Sequence, residues 1–473
     1  MQKTQAVRIP ESSGLEAVPP LSEEAIGRSA LRKASVRLLP MIGVGYCIAY
    51  MDRVNVSFAA LQMNRQLHFS QTVFGLGAGL FFVTYAALEI PSNLLLVRFG
   101  ARRWLARIML TWGLISMAMI FVRTPLEFYA GRLLLGAAEA GFFPGIIFYL
   151  SQWFPVAERS RAISRFYIAY PLSTTVMGGL AGFLLHLGGR MGMAGWQWLL
   201  VAEGFPAALL SVAFLVALPD GPQKAAWLTE AERAWILRQV HEEGAKHVHS
   251  TDEIGRAFRD PRVWMLGIFF LCFYLAAYGY TFAAPSLLTR VTGFGPTVVG
   301  LIIAALGVVG AASMLINGWH SDRTRERSLH VMIPLLVLAA GYAVAGSSSR
   351  PGIVLPALTV AAIGFYAIHA PVWVIGTSFL RGKSAAVGVA TVNSIGMIGS
   401  FTGPYWMGVM ADLTGSYQRG LLTLAAPILF SAALMISSIA ILSAGPCAWS
   451  PPSHLPLSPS QRPDPAAKIV GLL

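Results

Sequence analysis

The sequence has little charge and very little cysteine. Only 12% of its 473 residues are Asp, Glu, Lys or Arg, about half the fraction that a water-facing domain carries. The three cysteines, Cys47, Cys272 and Cys447, are widely scattered, which excludes a disulfide framework and a cysteine-based metal site. The chain also lacks Gly-x-Ser-x-Gly, His-Glu-x-x-His and phosphate-loop motifs. We therefore predict no metal site, no cofactor and no ATP-driven step.

What the chain has instead is long apolar runs separated by short polar gaps. Apolar residues make up 55% of the sequence, and the mean hydropathy is +0.61. Each run is close to the roughly 20 residues that a helix needs to cross a bilayer, so we predict an all-α integral membrane protein with twelve spans. The predicted spans are 38–61, 73–97, 104–122, 127–151, 163–186, 197–218, 263–287, 297–319, 331–347, 353–380, 385–410 and 419–443.

Positive charge is distributed very unequally between the two ends of these spans. Of the 35 Lys and Arg residues, 27 lie in or beside the two tails and the even-numbered loops. Each odd-numbered loop has one arginine, at Arg65, Arg123, Arg190, Arg290, Arg350 or Arg419. Basic residues mark cytoplasmic segments, so we predict that both termini are cytoplasmic and that the protein lies in the cell inner membrane. The net charge of +13 then needs no nucleic-acid partner, and none is predicted.

A polar interval near the middle divides the chain into two sets of six spans. It contains Thr229 with Glu232 at the third position after it, a pattern typical of a helix N-cap. We predict an amphipathic helix at the cytoplasmic interface, with a solvated linker helix as the alternative. The predicted segments are a cytoplasmic tail (1–37), a six-helix half (38–218), the linker (219–262), a second six-helix half (263–443) and a disordered Pro- and Ser-rich cytoplasmic tail (444–473).

Four charged residues stand out in predicted spans one and four, where a charge at the bilayer centre costs about 2.5–3.5 kcal/mol on insertion scales. Asp52 and Arg53 lie in span one, and Arg132 and Glu139 lie in span four. Arg132 and Glu139 are two helical turns apart and share a face, beside which Gly136 is expected to leave open space. Charges retained in a membrane pair or line a cavity. We interpret the four as a functional site, with a structural salt-bridge cluster as the alternative.

Two tyrosines of span one, Tyr46 and Tyr50, share a helix face with Arg53, at spacings of four and three residues. They are candidates for contact with a substrate. Glu203 lies near the outer end of span six and is expected to reach the membrane interface.

A second set of candidates lies in the second half of the chain. An aromatic lining would suit an aromatic or partly apolar acid, whereas helix packing is the favoured explanation for each aromatic residue alone. A structural, hydrogen-bonded role is favoured for His369. Asn393 and Ser394 contact either a substrate or neighbouring helices. The set comprises Tyr274, Tyr278, His369, Trp373, Asn393 and Ser394.

Two loops, between spans two and three and between spans eight and nine, resemble each other. Their predicted gating residues are Arg98, Gly100, Arg102 and Arg103 in the first loop and Gly318, Asp322 and Arg323 in the second. Val97 stands where the second copy has an aspartate, so a charge lock at the first loop must be built differently. Two six-span sets with paired basic loops resemble the major facilitator superfamily, in which two halves pack around a central cavity and rock to give alternating access.

Several motifs make this resemblance more specific. Tyr50-Met-Asp-Arg-Val-Asn55 in span one and Gly131-Arg-Leu-Leu-Leu-Gly-Ala-Ala-Glu-Ala-Gly141 in span four are similar to motifs of the anion:cation symporter family. Further matches extend over residues 38–443. Within that family, the sequence most resembles the bacterial proton-coupled permeases for organic acids such as tartrate, phthalate, 4-hydroxyphenylacetate and sugar acids. The resemblance implies that Asp52 and Glu139 are proton sites and that Arg53 and Arg132 bind a substrate carboxylate.

These observations predict a secondary transporter that imports a small organic anion by proton symport, as a monomer in the lipid bilayer. An antiporter or exporter is the alternative. Drug antiporters of the superfamily usually carry Gly-Pro-x-x-Gly-Gly in span five, whereas Val176-Met177 precede Gly178-Gly179 here. A non-transporting sensor and a membrane-embedded enzyme are remote alternatives, because the longest loop has about 44 residues and no nucleophile faces a base.

Overall fold

The structure is a computed structural model that describes residues 22–245, 260–369, 371–372, 375 and 382–444. Long apolar runs form helices because a helix satisfies its own backbone hydrogen bonds, as a bilayer requires. The described residues form no β-strand. Their α-helices are α1 (Glu23–Gln66), α2 (Gln71–Phe99), α3 (Ala101–Ala118), α4 (Pro125–Glu139), α5 (Phe142–Ser151), α6 (Val156–Tyr167), α7 (Ala169–Leu185), α8 (Gly195–Ala217), α9 (Glu230–Ala245), α10 (Pro261–Thr292), α11 (Pro296–Thr324), α12 (Leu329–Gly346), α13 (Pro351–Ala367), α14 (Gly382–Thr414) and α15 (Tyr417–Ala444).

Ten helical segments of the described chain are long and apolar enough to cross a membrane. They match predicted spans one to nine and span twelve, which confirms the all-α membrane class. Predicted span ten begins in the shorter apolar helix α13, and span eleven lies within α14. The count of twelve and the cytoplasmic termini stay predictions. Large apolar side chains such as Phe183, Phe205 and Leu209 are exposed on these helices, as expected of surfaces that contact lipid.

Two predicted spans are interrupted. Span four consists of α4 and α5, separated at Gly141, whose φ of +85° only glycine adopts readily. A Cβ atom at Gly141 would also lie 2.5 Å from Ser92 Oγ. Span five consists of α6 and α7, with a break at Ile168. Pro171 accounts for that break, because its ring displaces the carbonyl four residues earlier and it has no N–H to donate.

The linker helix α9 packs on α1, which begins at Glu23 and so extends the predicted first span at its N-terminal end. Thr229 caps α9, because its Oγ1 accepts from the Glu232 N–H at 3.3 Å, as the sequence pattern predicts. The buried Glu232 carboxylate accepts hydrogen bonds from Ser29 Oγ at 2.6 Å and Lys33 Nζ at 2.8 Å. Trp235 covers Gly27, where a Cβ atom would lie 2.5 Å from the indole ring. This face of α9 therefore contacts protein.

The chain divides into two compact units. The first contains Met1–Thr251, Tyr280–Ala311 and Pro404–Tyr417, and the second contains Asp252–Gly279, Ala312–Gly403 and Gln418–Leu473. Within the first unit, parts of α11 and α14 approach earlier helices at glycines. A Cβ atom at Gly178 would lie 2.5 Å from the Gly300 carbonyl oxygen, and one at Gly408 would lie 2.2 Å from that of Gln71. The two six-helix halves were inferred from the similarity of the two basic loops, and they stay a prediction.

Candidate functional site

Asp52 is fully buried and faces α3. Its Oδ1 atom accepts hydrogen bonds from Ser116 Oγ at 2.5 Å and from Asn55 Nδ2 at 3.3 Å. Its Oδ2 atom accepts no hydrogen bond from the described residues. Because consecutive residues on a helix point about 100° apart, Asp52 and its neighbour Arg53 face different helices. The predicted proton site is therefore held by two neutral donors between α1 and α3.

Arg53 forms a salt bridge with Glu139, so α1 and α4 are joined by an ion pair in the first unit. Both side chains are buried, Glu139 almost completely. The Arg53 guanidinium lies over the rings of Tyr85 and Phe81, at 4.9 and 5.3 Å from their centroids. Aromatic faces stabilise a cation that has lost water. The structure thus brings together a predicted proton site and a predicted carboxylate-binding residue.

Arg132 is fully buried and contacts Phe81. Its guanidinium lies 4.9 Å from the Phe81 centroid, and its Nη2 donates to the Ala78 carbonyl oxygen at 3.4 Å. Among the described residues Arg132 makes no salt bridge. The open space expected at Gly136 is wrong, because a Cβ atom there would lie 2.1 Å from the Phe81 carbonyl oxygen. Gly136 lets α2 and α4 approach closely, and that contact encloses Arg132.

The tyrosines of span one pack against α7 and its neighbours. The Tyr50 and Tyr170 hydroxyls are 3.3 Å apart, and their rings meet edge to face at 4.5 Å. Tyr46 packs against Phe166 and Phe143, at centroid distances of 4.8 and 5.3 Å. Both tyrosines are buried. They contact α5, α6 and α7, whereas Arg53 contacts α2 and α4, so a face shared with Arg53 stays a prediction.

The second set of candidates lies in the second unit. His369 Nδ1 lies 2.9 Å from the Phe365 carbonyl oxygen, and its ring packs edge to face on Phe365 and Phe273. This favours the structural role for His369. Tyr274 and Tyr278 contact each other edge to face at 5.8 Å. Asn393 is half-buried and Ser394 is exposed on α14, and Trp373 lies outside the described residues.

The first basic loop obtains an acidic partner from a distant part of the sequence. Asp220, which follows α8, accepts from the Arg102 N–H at 3.3 Å. A Cβ atom at Gly100 would lie 2.8 Å from the Asp220 Oδ1 atom, and Gly100 has a φ of +89°. Asp220 thus sits at the positive N-terminus of α3. It supplies the charge that Val97 lacks, whereas the side chains of Arg98 and Arg103 form no salt bridge among the described residues.

The charged residues of the second basic loop contact residues close to them in the sequence. Asp322 forms a salt bridge with Arg327 at 2.6 Å, and the Arg323 guanidinium lies 5.5 Å from the Trp319 centroid. Gly318 lies within α11, one residue before that tryptophan. The predicted gating residues of the two loops are therefore held by different local contacts.

Two further acidic residues have positions that the sequence did not predict. Asp412 of α14 accepts from the N–H groups of Gln71 and Thr72, at 3.1 and 2.7 Å, and so caps the N-terminus of α2. The expectation that Glu203 reaches the membrane interface is wrong, because its side chain is buried. Both positions depend on contacts between distant helices.

Comparisons with known proteins find similar transporters. The family model of the Major Facilitator Superfamily matches residues 42–404. An Agrobacterium vitis protein named "Putative tartrate transporter" is 44% identical, over 86% of this chain and 90% of that protein. The "Quinolone resistance transporter" of Acinetobacter baumannii is 36% identical, over 85% of this chain and 93% of its own length. An inward-facing structure of a bacterial homolog of the human lysosomal transporter Spinster has a TM-score of 0.72 at 17% identity, covering 89% of this chain and 99% of that one.

Proposed function

The chain belongs to the major facilitator superfamily and is a membrane transporter, and we propose that it imports a small organic anion by proton symport. The proton is the coupling ion, and no cofactor or metal ion takes part. The protein works as a monomer in the inner membrane. The 44% identity to a relative named for tartrate supports a carboxylate substrate.

The salt bridge between Arg53 and Glu139 is the observation that best supports coupling. A guanidinium offers a planar fork that matches a carboxylate. We infer that a substrate carboxylate competes with Glu139 for Arg53. Adding a proton to Glu139 removes the competitor, whereas leaving its negative charge buried and unpaired would be costly. Proton binding and substrate binding thus favour each other at this pair.

Charge balance gives a second argument. With Asp52 and Glu139 ionised, the two carboxylates offset the charges of Arg53 and Arg132. A monoanion that enters with one proton keeps the cluster neutral, so the membrane potential contributes nothing. A monoanion that enters with two protons carries one positive charge inward, worth about 2.3 kcal/mol per 100 mV. The two buried carboxyls are enough for this second stoichiometry.

Export by antiport is the second candidate, and one observation favours it. The relative from Acinetobacter baumannii carries quinolone resistance in its name and covers most of this chain. A buried, neutralised cluster is equally able to exchange a proton for a substrate in the opposite direction. The direction of proton flow relative to substrate separates the two functions.

Uptake by purified protein in liposomes tests the proposal. Vesicles with an alkaline, negative interior are offered labelled tartrate, phthalate, 4-hydroxyphenylacetate and sugar acids. We expect one of them to accumulate, and a protonophore to abolish the accumulation. Export is favoured instead if an acidic interior drives accumulation. Exchange of label between loaded vesicles without any response to the pH gradient would contradict proton coupling in either direction.

A further inference from the structure

Glu203 is a buried carboxyl group that the cluster around Arg53 does not use. It lies in α8 and is only 3% exposed. Among the described residues no donor forms a hydrogen bond of regular geometry with its carboxyl oxygens, Asn55 is a polar neighbour, and no described salt bridge includes it. Buried polar groups are nearly always hydrogen-bonded, so a carboxyl group in this condition requires a functional or structural reason.

The contacts between α1 and α8 fix the depth of Glu203 relative to Asp52. Near one end of both helices, the Trp196 N–H donates to Gln62 Oε1 at 3.1 Å. The two helices run in opposite directions. Glu203 lies seven residues after Trp196 and Asn55 lies seven residues before Gln62, so both are about 10 Å from this contact and at the same depth. Asn55 donates to Asp52 at 3.3 Å. Glu203 therefore lies about one turn from Asp52, on the side that the distribution of arginines predicts to face outward.

Among the described residues, the groups around Glu203 include no cation. On α1, the ionisable groups within electrostatic range are Asp52 and Cys47. The α3 residues that contact the neighbouring Gly204 are Gly113 and Met117, and the described residues of α7 carry no ionisable group other than the Tyr170 phenol. A carboxylate without a partner is far more costly to bury than its neutral acid. The surroundings thus favour a Glu203 that holds a proton.

We propose that Glu203 is a proton-relay residue that passes protons from the outer side to Asp52. The relay rests on the proposed proton symport. In this step the O–H bond of the Glu203 carboxylic acid breaks, and the proton joins a carboxylate oxygen of Asp52. Glu203 is then ionised until it takes a proton from the outer solution. Asn55, which lies level with Glu203, donates to Asp52 and holds it in position to receive the proton.

Comparison of Glu203→Gln with Glu230→Gln, which removes a charge from the exposed start of α9, tests the relay in liposomes. Loss of a proton-transfer group slows its step by about a hundredfold or more, so we expect the initial rate of proton-driven uptake to fall at least tenfold in Glu203→Gln. Substrate counterflow, which needs no net proton transfer, should stay within about twofold of wild type. Glu203→Asp restores a carboxyl group and should recover part of the uptake.

Two results would overturn the relay. One is uptake by Glu203→Gln with the rate and pH profile of wild type. The other is an equal loss of uptake and counterflow, which indicates a merely structural role. If wild-type protein shows no proton-driven transport, the proposed function has failed and the relay falls with it. The infrared carbonyl band of a protonated carboxylic acid then decides separately whether Glu203 holds a proton, since that band should be weaker in Glu203→Gln.

Discussion

Arg53 and Glu139 form a buried ion pair that joins α1 to α4 beneath the rings of Tyr85 and Phe81. Pairs of this kind are weak contributors to stability, because the loss of hydration offsets most of the attraction. Breaking the pair by removing one partner is nevertheless costly. A transporter can use this difference. A proton on Glu139 neutralises the carboxylate that has lost Arg53, and a substrate carboxylate on Arg53 neutralises the cation that has lost Glu139. The proposed coupling therefore gives this ion pair a role that a small contribution to stability does not.

Substitution of Glu139 by Gln tests this role. The neutral amide mimics the protonated state, so Arg53 stays available to a substrate carboxylate while no proton is bound or released. We expect counterflow to persist within a few-fold of wild type and proton-driven accumulation to fall to the level of equilibration. Both are measured in liposomes with the same labelled acid.

The matched control is Glu158→Gln, which removes a carboxylate that pairs with Arg161 on the surface. A surface pair contributes little, so this variant should accumulate substrate like wild type. Intact accumulation by Glu139→Gln would remove Glu139 from the coupling mechanism.

A double-mutant cycle measures the ion pair itself. Arg53→Gln leaves Glu139 buried without its cation, which should cost about 3–5 kcal/mol of stability. Adding Glu139→Gln removes the unpaired charge and should recover most of that loss. Thermal unfolding in detergent, followed by intrinsic fluorescence, gives the comparison. Equal destabilisation of the single and the double variant would show that Arg53 stabilises the protein through Tyr85 and Phe81 alone.

The sequence predicted the members of the site better than their pairing. Asp52, Arg53, Arg132 and Glu139 stand out because charge is rare and costly within a span. The distance between Asp52 and Arg53 along the helix already implies that they face different directions. Which helix each one faces depends on packing, and so do the enclosure of Arg132 at Gly136 and the burial of Glu203.

The fold was predictable to a similar extent. Apolar runs of about 20 residues located the membrane helices, and the Thr229–Glu232 pattern located the start of α9. The break at Gly141 was missed, because an apolar run does not show the φ of its residues. Asp220 was missed as the partner of the first basic loop, because more than 100 residues separate it from Arg102.

Because Asp412 caps α2, its removal should let the first turn of α2 open more often. Asp412→Ala removes the acceptor for the N–H groups of Gln71 and Thr72, and loss of a helix N-cap costs about 1 kcal/mol. We expect hydrogen exchange in the first turn of α2 to become about fivefold faster. Mass spectrometry of peptides that begin near Gln71 measures this. Asp412→Asn keeps one acceptor oxygen and should lie between wild type and Asp412→Ala; unchanged exchange in Asp412→Ala would mean that the cap stabilises nothing.

The contact between α9 and α1 should not respond to pH in the range where transport is assayed. Burial opposes ionisation of Glu232, but hydrogen bonds from Lys33, Ser29 and the Thr229 N–H outweigh it and lower the Glu232 pKa from 4.5 to about 2. A carboxyl whose pKa is lowered in the folded state stabilises above its usual pKa, and the stabilisation is lost as pH falls through the folded pKa. Docking of α9 should therefore be constant between about pH 5 and pH 8 and weaken only below about pH 4.

Hydrogen exchange of α9, corrected for the intrinsic effect of pH, measures this docking. Glu232→Gln, which removes the charge that Lys33 and Ser29 contact, should speed exchange equally at all these pH values. Constant exchange in wild type means that any pH dependence of transport between pH 5 and pH 8 originates outside the contact between α9 and α1. A pH-dependent release of α9 in that range would instead place part of the proton response in the linker, and the effects of Glu139→Gln on accumulation would then have to be measured again with Glu232→Gln present.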